Sequence, residues 1–160
     1  MTSWTRVLVE VLVFIIAITY EIFYAYDIFG CGMSPEEREA YYRDRISKHT
    51  NAEMPIDSTM VLFKDNYTQS IEGDIYYCVY TFENEPTEWL NEASFNDEKN
   101  SIIESNFFKR IEEHFVGVEQ EYLPDFEETY FWLNPSGMYF VYNINDLKLY
   151  YLCVVIKGEG

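Results

Sequence analysis

Basic residues are scarce in this chain of 160 residues. It has 11 Lys and Arg against 28 Asp and Glu, which gives a formal net charge of −17 at pH 7. Nucleic-acid binding requires a clustered cationic surface, so this shortage argues against a nucleic-acid partner. The excess of acid instead predicts a highly soluble surface or, more specifically, a basic protein partner that is attracted by the field of the molecule.

Cysteine and histidine are also rare, with three Cys and two His. An odd number of cysteines excludes a complete disulfide framework, and we expect Cys78 and Cys153 to be buried thiols, or a bridged pair if the domain lies outside the cytoplasm. His49 and His114 lie near predicted helix ends, where a cationic helix cap is the usual role. The usual metal, nucleotide and nucleophile motifs are missing, so we expect no metal, no cofactor and no catalytic residue.

Aromatic residues, by contrast, make up 19% of the chain. Disordered segments contain few such residues, and aromatic rings bring much apolar area to even a small core. There is no internal repeat or low-complexity segment. The length therefore predicts one modest folded domain.

The longest apolar run covers residues 7–29. As a helix it would span about 34 Å, enough to cross the hydrocarbon core of a bilayer. Glu10 and Glu21 differ by about 20° in helical phase and therefore share one face. These two carboxylates indicate either tolerance of acids near the two interfaces or a contact with another membrane protein.

Aromatic residues that include Tyr20 and Tyr24 crowd the C-terminal end of this run, as in an interfacial belt. The positive-inside rule then predicts a single-pass anchor in the cell membrane, with the main domain outside the cytoplasm. The second interpretation is a lipoprotein, because "IFGC" is similar to a lipobox and ends at Cys31. The third is a soluble helical hairpin, although this chain can scarcely cover a helix that is apolar all round.

The rest of the chain alternates clear helix and strand patterns. Ser34, Pro35 and Glu37 form a helix start, and the helix is predicted to run from 35 to about 48. A short helix should begin at Pro86, and an amphipathic helix is predicted over 96–115. Strands are predicted at 59–64, 74–82, 128–133, 138–144 and 147–156, with "NPSG" as a type I turn.

This order predicts an α+β protein, with an N-terminal membrane-type helix and then a single antiparallel sheet of about five strands with helices packed on one face. We divide the chain into a transmembrane anchor (1–31), a juxtamembrane helix and linker (32–53) and an α+β globular domain (54–160). "MPIDSTMVLFKDNYTQSIEGDIYYCVYTF", "EYLPDFEETYFWL" and the C-terminal hairpin resemble an uncharacterised group of small bacterial membrane-anchored or lipoprotein-like α+β proteins. The resemblance implies a fold rather than a function.

Seven carboxylates lie close together in a stretch that has no Lys or Arg. They form the candidate acidic binding surface: Glu112, Glu113, Glu119, Glu121, Asp125, Glu127 and Glu128. A glycosidase needs one carboxylate pair at a set separation, so this crowd of acids is more typical of a solvated or partner-binding face.

The sequence therefore predicts a membrane-anchored, non-enzymatic binding domain for a protein or peptide. An immunity-type protein, which neutralises a basic toxin by electrostatic complementarity, is the specific version. The alternative is an accessory subunit of a membrane complex, held through the N-terminal helix at the Glu10 and Glu21 face.

Overall fold

A computed structural model describes residues 33–66 and 73–156 of the chain. The chain divides into two compact units, Met1–Ala40 and Tyr41–Gly160. The predicted anchor over 1–31 lies outside the described residues. Within the two described ranges, no helix combines the length and the apolar character needed to cross a bilayer.

The first helix of the described residues, α1, covers Pro35–Thr50 and begins with the predicted capping box. The Glu37 amide donates to the Ser34 hydroxyl at 3.2 Å, and the Ser34 amide donates to the Glu37 carboxylate at 2.8 Å. The reciprocal pair satisfies two backbone donors at the helix N-terminus. Near the other end of α1, Ile46 is fully buried in the core of the second unit.

The second unit contains one five-stranded antiparallel sheet, which confirms the predicted α+β class. The strand order is β1–β2–β5–β4–β3, so the C-terminal strand is central. The strands are β1 (Ser58–Asp65), β2 (Gly73–Phe82), β3 (Tyr130–Leu133), β4 (Tyr139–Asn143) and β5 (Lys148–Ile156). Helices α2 (Thr87–Glu92) and α3 (Ser101–His114) lie between β2 and β3 in the chain.

Helices cover both faces of the sheet, so the prediction of helices on one face only is wrong. On one face, Cys78 of β2 packs in a cluster with Ile46 of α1 and Trp89 of α2. On the other face, Tyr77 packs in a cluster with Phe107 of α3. The physical reason is that the central strands are apolar on both sides, and each apolar face has to be covered.

The β3–β4 hairpin turns one residue later than predicted. Ser136 and Gly137 have positive φ angles of 51° and 79°, and the Met138 amide donates to the Pro135 carbonyl at 3.0 Å. Two central residues with positive φ form a type I′ turn, which suits the twist of a tight hairpin. The prediction of a type I turn is therefore wrong.

Cys78 and Cys153 are buried thiols, as the sequence predicts, and no disulfide joins them. The register pairs Cys78 with Tyr151 and Tyr76 with Cys153. The two cysteines are thus diagonal neighbours, about 7–8 Å apart, which is too far for a disulfide. Burial raises the pKa of the Cys153 thiol to about 11, so it is protonated and unreactive at neutral pH.

Both histidines lie in the last turns of their helices, α1 and α3. Desolvation lowers the pKa of both rings; the Arg45 charge lowers the pKa of His49 further, whereas the Glu113 carboxylate opposes the shift at His114. Both histidines thus lie at the predicted helix ends, and their lowered pKa favours the neutral ring over the cationic form.

Candidate functional site: an acidic strap across the sheet

The predicted acidic surface lies at the end of α3 and on the segment that connects α3 to β3. Glu112 and Glu113 lie in the last turn of α3. The other five acids lie in residues 115–129, here called the strap, which contains a short 3₁₀ turn over Gln120–Tyr122. The strap passes over the face of the sheet that α3 covers.

Apolar side chains fix the underside of the strap to the core. Phe115 and Phe126 are buried, and Tyr122 packs partly buried against the same cluster. The Phe126 ring lies edge-on to Phe108 and Tyr130, with centroid distances of 5.3 and 5.0 Å. Burying a Phe side chain contributes about 1.5–3 kcal/mol, so these rings hold the strap in place.

Side chains from elsewhere in the chain also bind the backbone carbonyls of the strap. These bonds come from four neighbouring strands and from Lys99, two residues before α3, so they hold the strap along its length. The donors and acceptors are Lys64 to Gly117 (3.1 Å), Lys148 to Glu121 (3.0 Å), Tyr77 to Tyr122, Asn143 to Asp125 (2.8 Å), and Lys99 to both Phe126 (3.0 Å) and Glu127 (2.9 Å).

Three of these donors are lysines, in a chain that has few basic residues. The ammonium groups of Lys64, Lys99 and Lys148 donate to carbonyl oxygens rather than pairing with the carboxylates beside them. Hydrogen bonds from a charged donor are about twice as strong as neutral ones. The lysines therefore hold the strap backbone and leave its acidic side chains unpaired.

Most of the acidic side chains face solvent without a cationic partner. Glu113 is the exception, because it lies 3.8 Å from the Lys109 ammonium and 3.4 Å from the Arg110 guanidinium. Among the residues that the structure describes, the other six acids form no ion pair within 4.0 Å. Five of these six are exposed: Glu112, Glu119, Glu121, Asp125 and Glu127.

The sixth acid, Glu128, is half-buried, and its charge acts with those of Asp146 and Asp125 on the Tyr150 phenol. The Tyr150 hydroxyl donates to the Asp146 carboxylate at 3.4 Å. Burial raises the pKa of Tyr150, and the charges of Asp146, Glu128 and Asp125 raise it further, so the phenol remains protonated. In the part of the chain that the structure describes, no three acidic, His or Cys side chains converge on a metal position.

Sequence reasoning identified the acids of this surface but not the residues that hold it. Asn143, Tyr77 and the three lysines come from separate elements, and only the folded chain brings them to the strap. The one available signal was the placement of Lys64 and Lys148 within apolar strands, where a charge requires a partner.

The remaining sequence-predicted positions lie outside the described residues. They are Glu10, Tyr20, Glu21, Tyr24 and the candidate lipidation site Cys31. Comparisons of the chain with models of known protein families, with curated proteins and with solved structures find no match.

Proposed function

We propose that this chain is a membrane-anchored, non-enzymatic binding domain whose partner is a basic protein or peptide. The observation that carries the proposal is the acidic strap, whose backbone is held by side-chain donors while four of its five carboxylates are exposed and form no ion pair within the described residues. A surface held in this way loses little conformational entropy on binding, which favours affinity. Its negative field accelerates the capture of a cationic partner.

An immunity-type role is the specific version of this proposal. A protein that neutralises a basic toxin has to capture it rapidly, and electrostatic steering raises the association rate by orders of magnitude at low salt. The net charge of −17 and the seven strap and α3 carboxylates support this role.

The location is part of the proposal. We place residues 1–31 in the cell membrane as a single-pass anchor and the α+β domain outside the cytoplasm, on the basis of the apolar run and the positive-inside rule. Lipidation at Cys31 is the alternative means of attachment.

A second candidate is an accessory subunit of a membrane complex. The shared helical phase of Glu10 and Glu21 favours it, because a partner would offset the cost of two carboxylates on one face of a membrane helix. Replacing both residues with Leu in the full chain should abolish co-purification of the complex, and unchanged co-purification would rule this version out.

The main test uses two charge-matched variants of the full chain. The first replaces Glu112, Glu119, Glu121 and Glu127 with Gln, which neutralises four exposed, unpaired acids of the candidate surface. The control variant replaces four exposed acids elsewhere with Gln, namely Glu53, Glu83, Glu88 and Glu92. Both variants change the net charge equally.

Each variant is expressed in the native host with an affinity tag, and the bound proteins are quantified by mass spectrometry. We expect the wild type and the control variant to recover the same basic partner. The first variant should recover about tenfold less of that partner, or even less. Equal losses in the two variants would show that only net charge matters. Recovery of no specific basic protein would refute the proposal.

A further inference from the structure

The two ends of the sheet differ sharply in charge. At one end, here called the acidic end, β2 finishes and β5 begins. The connections at this end contain ten Asp or Glu residues and one Lys, and they cover residues 51–57, 83–86, 93–100, 125–129 and 144–147. At the opposite end, here called the entry end, β2 begins and β5 finishes. The fully described connections there, 115–118 and 134–138, contain no charged residue.

The antiparallel order of the strands places these connections. β1 and β3 begin at the acidic end, and β2 and β4 finish there. Residues 93–100 lie at the same end, because Lys99 donates to the Glu127 carbonyl, shortly before β3, at 2.9 Å. The strap starts at the entry end, where the Gly117 carbonyl accepts from Lys64, near the end of β1, at 3.1 Å. Glu112, in the last turn of α3, is one exposed acid near this end.

The chain enters the second unit at the entry end. Arg45 of α1 donates to the Asp74 carboxylate at 2.7 Å and to the Tyr41 hydroxyl at 3.2 Å. Asp74 pairs with Val155 across β2 and β5, near the start of β2. Tyr41 is the first residue of this unit, so the connection to the proposed anchor begins here. The ten residues from 31 to 41 span at most about 35 Å, which keeps the entry end close to the bilayer.

Charge decides which end can approach lipid, because exposed apolar side chains occur at both. At the entry end, Val116 is 91% exposed, Tyr41 41% and Val155 39%; at the acidic end, Ile56 is 88% and Ile102 69% exposed. Anionic headgroups repel carboxylates within about one Debye length, roughly 10 Å. The entry end can therefore bring apolar side chains to the headgroups without bringing a crowd of acids.

We propose that the entry end lies against the membrane surface and that the acidic end points away from the bilayer. This inference rests on the proposed anchor over residues 1–31, and it deepens the proposed function by assigning the outward surface. A basic partner then meets the acidic end, which includes the last part of the strap. Repulsion from anionic lipids holds this end away from the bilayer and keeps it accessible.

The first test measures how close each end lies to lipid headgroups. Val116→Cys and Ile56→Cys are made separately in the full chain with Cys31→Ser, and each is labelled with a fluorophore. The two positions are almost equally exposed and lie at opposite ends of β1. The chains are reconstituted in vesicles of phosphatidylcholine and phosphatidylglycerol that contain a lipid with a nitroxide quencher on its headgroup.

The label at position 116 should be quenched about threefold or more as strongly as the label at position 56, because β1 is about 20 Å long and nitroxide quenching acts at short range. Equal quenching, or stronger quenching at position 56, would overturn the proposal. So would weak quenching at both positions in a chain that floats with the vesicles, since the domain would then stand clear of the bilayer. A chain that does not float with the vesicles would refute the proposed anchor, and this inference with it.

The second test adds one acid to either end. A fluorophore on Val155→Cys reports on the entry end, and Val116→Glu is compared with Ile102→Glu, which adds the same charge at the acidic end. We expect Val116→Glu to lower the quenching at position 155 by about twofold and Ile102→Glu to leave it unchanged. Equal effects of the two substitutions, or no effect of Val116→Glu, would overturn the proposal.

Discussion

Two buried tyrosines provide a test of how the strap is held, because the same substitution should destabilise the protein at one of them and not at the other. Tyr77 in β2 and Tyr142 in β4 are both fully buried. The Tyr77 hydroxyl donates to the Tyr122 carbonyl of the strap. The Tyr142 hydroxyl is buried and has no hydrogen-bond partner among the described residues.

The expected magnitudes follow from these contacts. Tyr77→Phe removes one hydrogen bond and also leaves the Tyr122 carbonyl without its donor. We expect a loss of about 1–2.5 kcal/mol in the free energy of unfolding. Tyr142→Phe removes only a hydroxyl that gives up its hydrogen bonds to water on folding and gains none in the described part of the protein. The free energy of unfolding should therefore change by less than about 0.5 kcal/mol, or increase by up to about 1 kcal/mol.

The assay is urea unfolding of the full chain in detergent, followed by circular dichroism. Both substitutions preserve ring volume, so packing is conserved and the m-value should be unchanged. Equal destabilisation of the two variants would refute the reasoning, because it would mean that the two hydroxyls contribute equally to the free energy of unfolding. An unchanged stability for Tyr77→Phe would show that the strap does not depend on this bond.

Three further predictions concern the lysines, a histidine and the thiols. Lys99→Met should lower the free energy of unfolding by about 1–2 kcal/mol, because it removes two charged hydrogen bonds to the strap. The control, Lys109→Met on the surface of α3, should lower it by less than about 0.5 kcal/mol. Denaturant titration measures both variants. The folded-state pKa of His114 is lowered, so the unfolded state binds more protons as the pH falls through about 6.5. From pH 7.5 to 5.5 the wild type should therefore lose more Tm than His114→Gln, and an equal loss would contradict this. In a Cys31→Ser background, Cys78 and Cys153 should react with a maleimide only after unfolding; rapid labelling of the native chain would contradict their burial.

Local sequence patterns were sufficient to predict most of the secondary structure. The capping box at Ser34 and Glu37 predicted the start of α1, and the β-branched and aromatic runs predicted all five strands within a few residues. These elements depend on groups that are close in the chain, such as a side-chain hydroxyl and an amide three residues later. The amphipathic helix was predicted too early, because Asn100 caps it and its amides at Ile102 and Ile103 bind the Asn100 side chain.

The placement of the helices on both faces of the sheet was less predictable, although one feature of the sequence indicated it. Both faces of β2 are apolar, as is typical of a strand in the interior of a sheet. Because both faces are apolar, each has to be packed against other elements, and a single layer of helices can cover only one of them. The turn type of the hairpin at Ser136 was predicted wrongly for a different reason. The sequence Asn-Pro-Ser-Gly is compatible with a turn at either of two adjacent positions, and the twist of the two strands decides between them.

The candidate site divides along the same line. Composition and spacing along the chain determined that the segment from Glu112 to Glu128 is strongly acidic, because charge is a property of the residues themselves. Only the tertiary structure decided that this segment is a fastened strap rather than a free loop. Lys64, Lys99, Asn143 and Lys148 come from distant parts of the sequence and meet the strap through the order of the strands, which no local pattern encodes. The sequence alone therefore determines that this surface is acidic, whereas its rigidity depends on long-range hydrogen bonds that exist only in the folded chain.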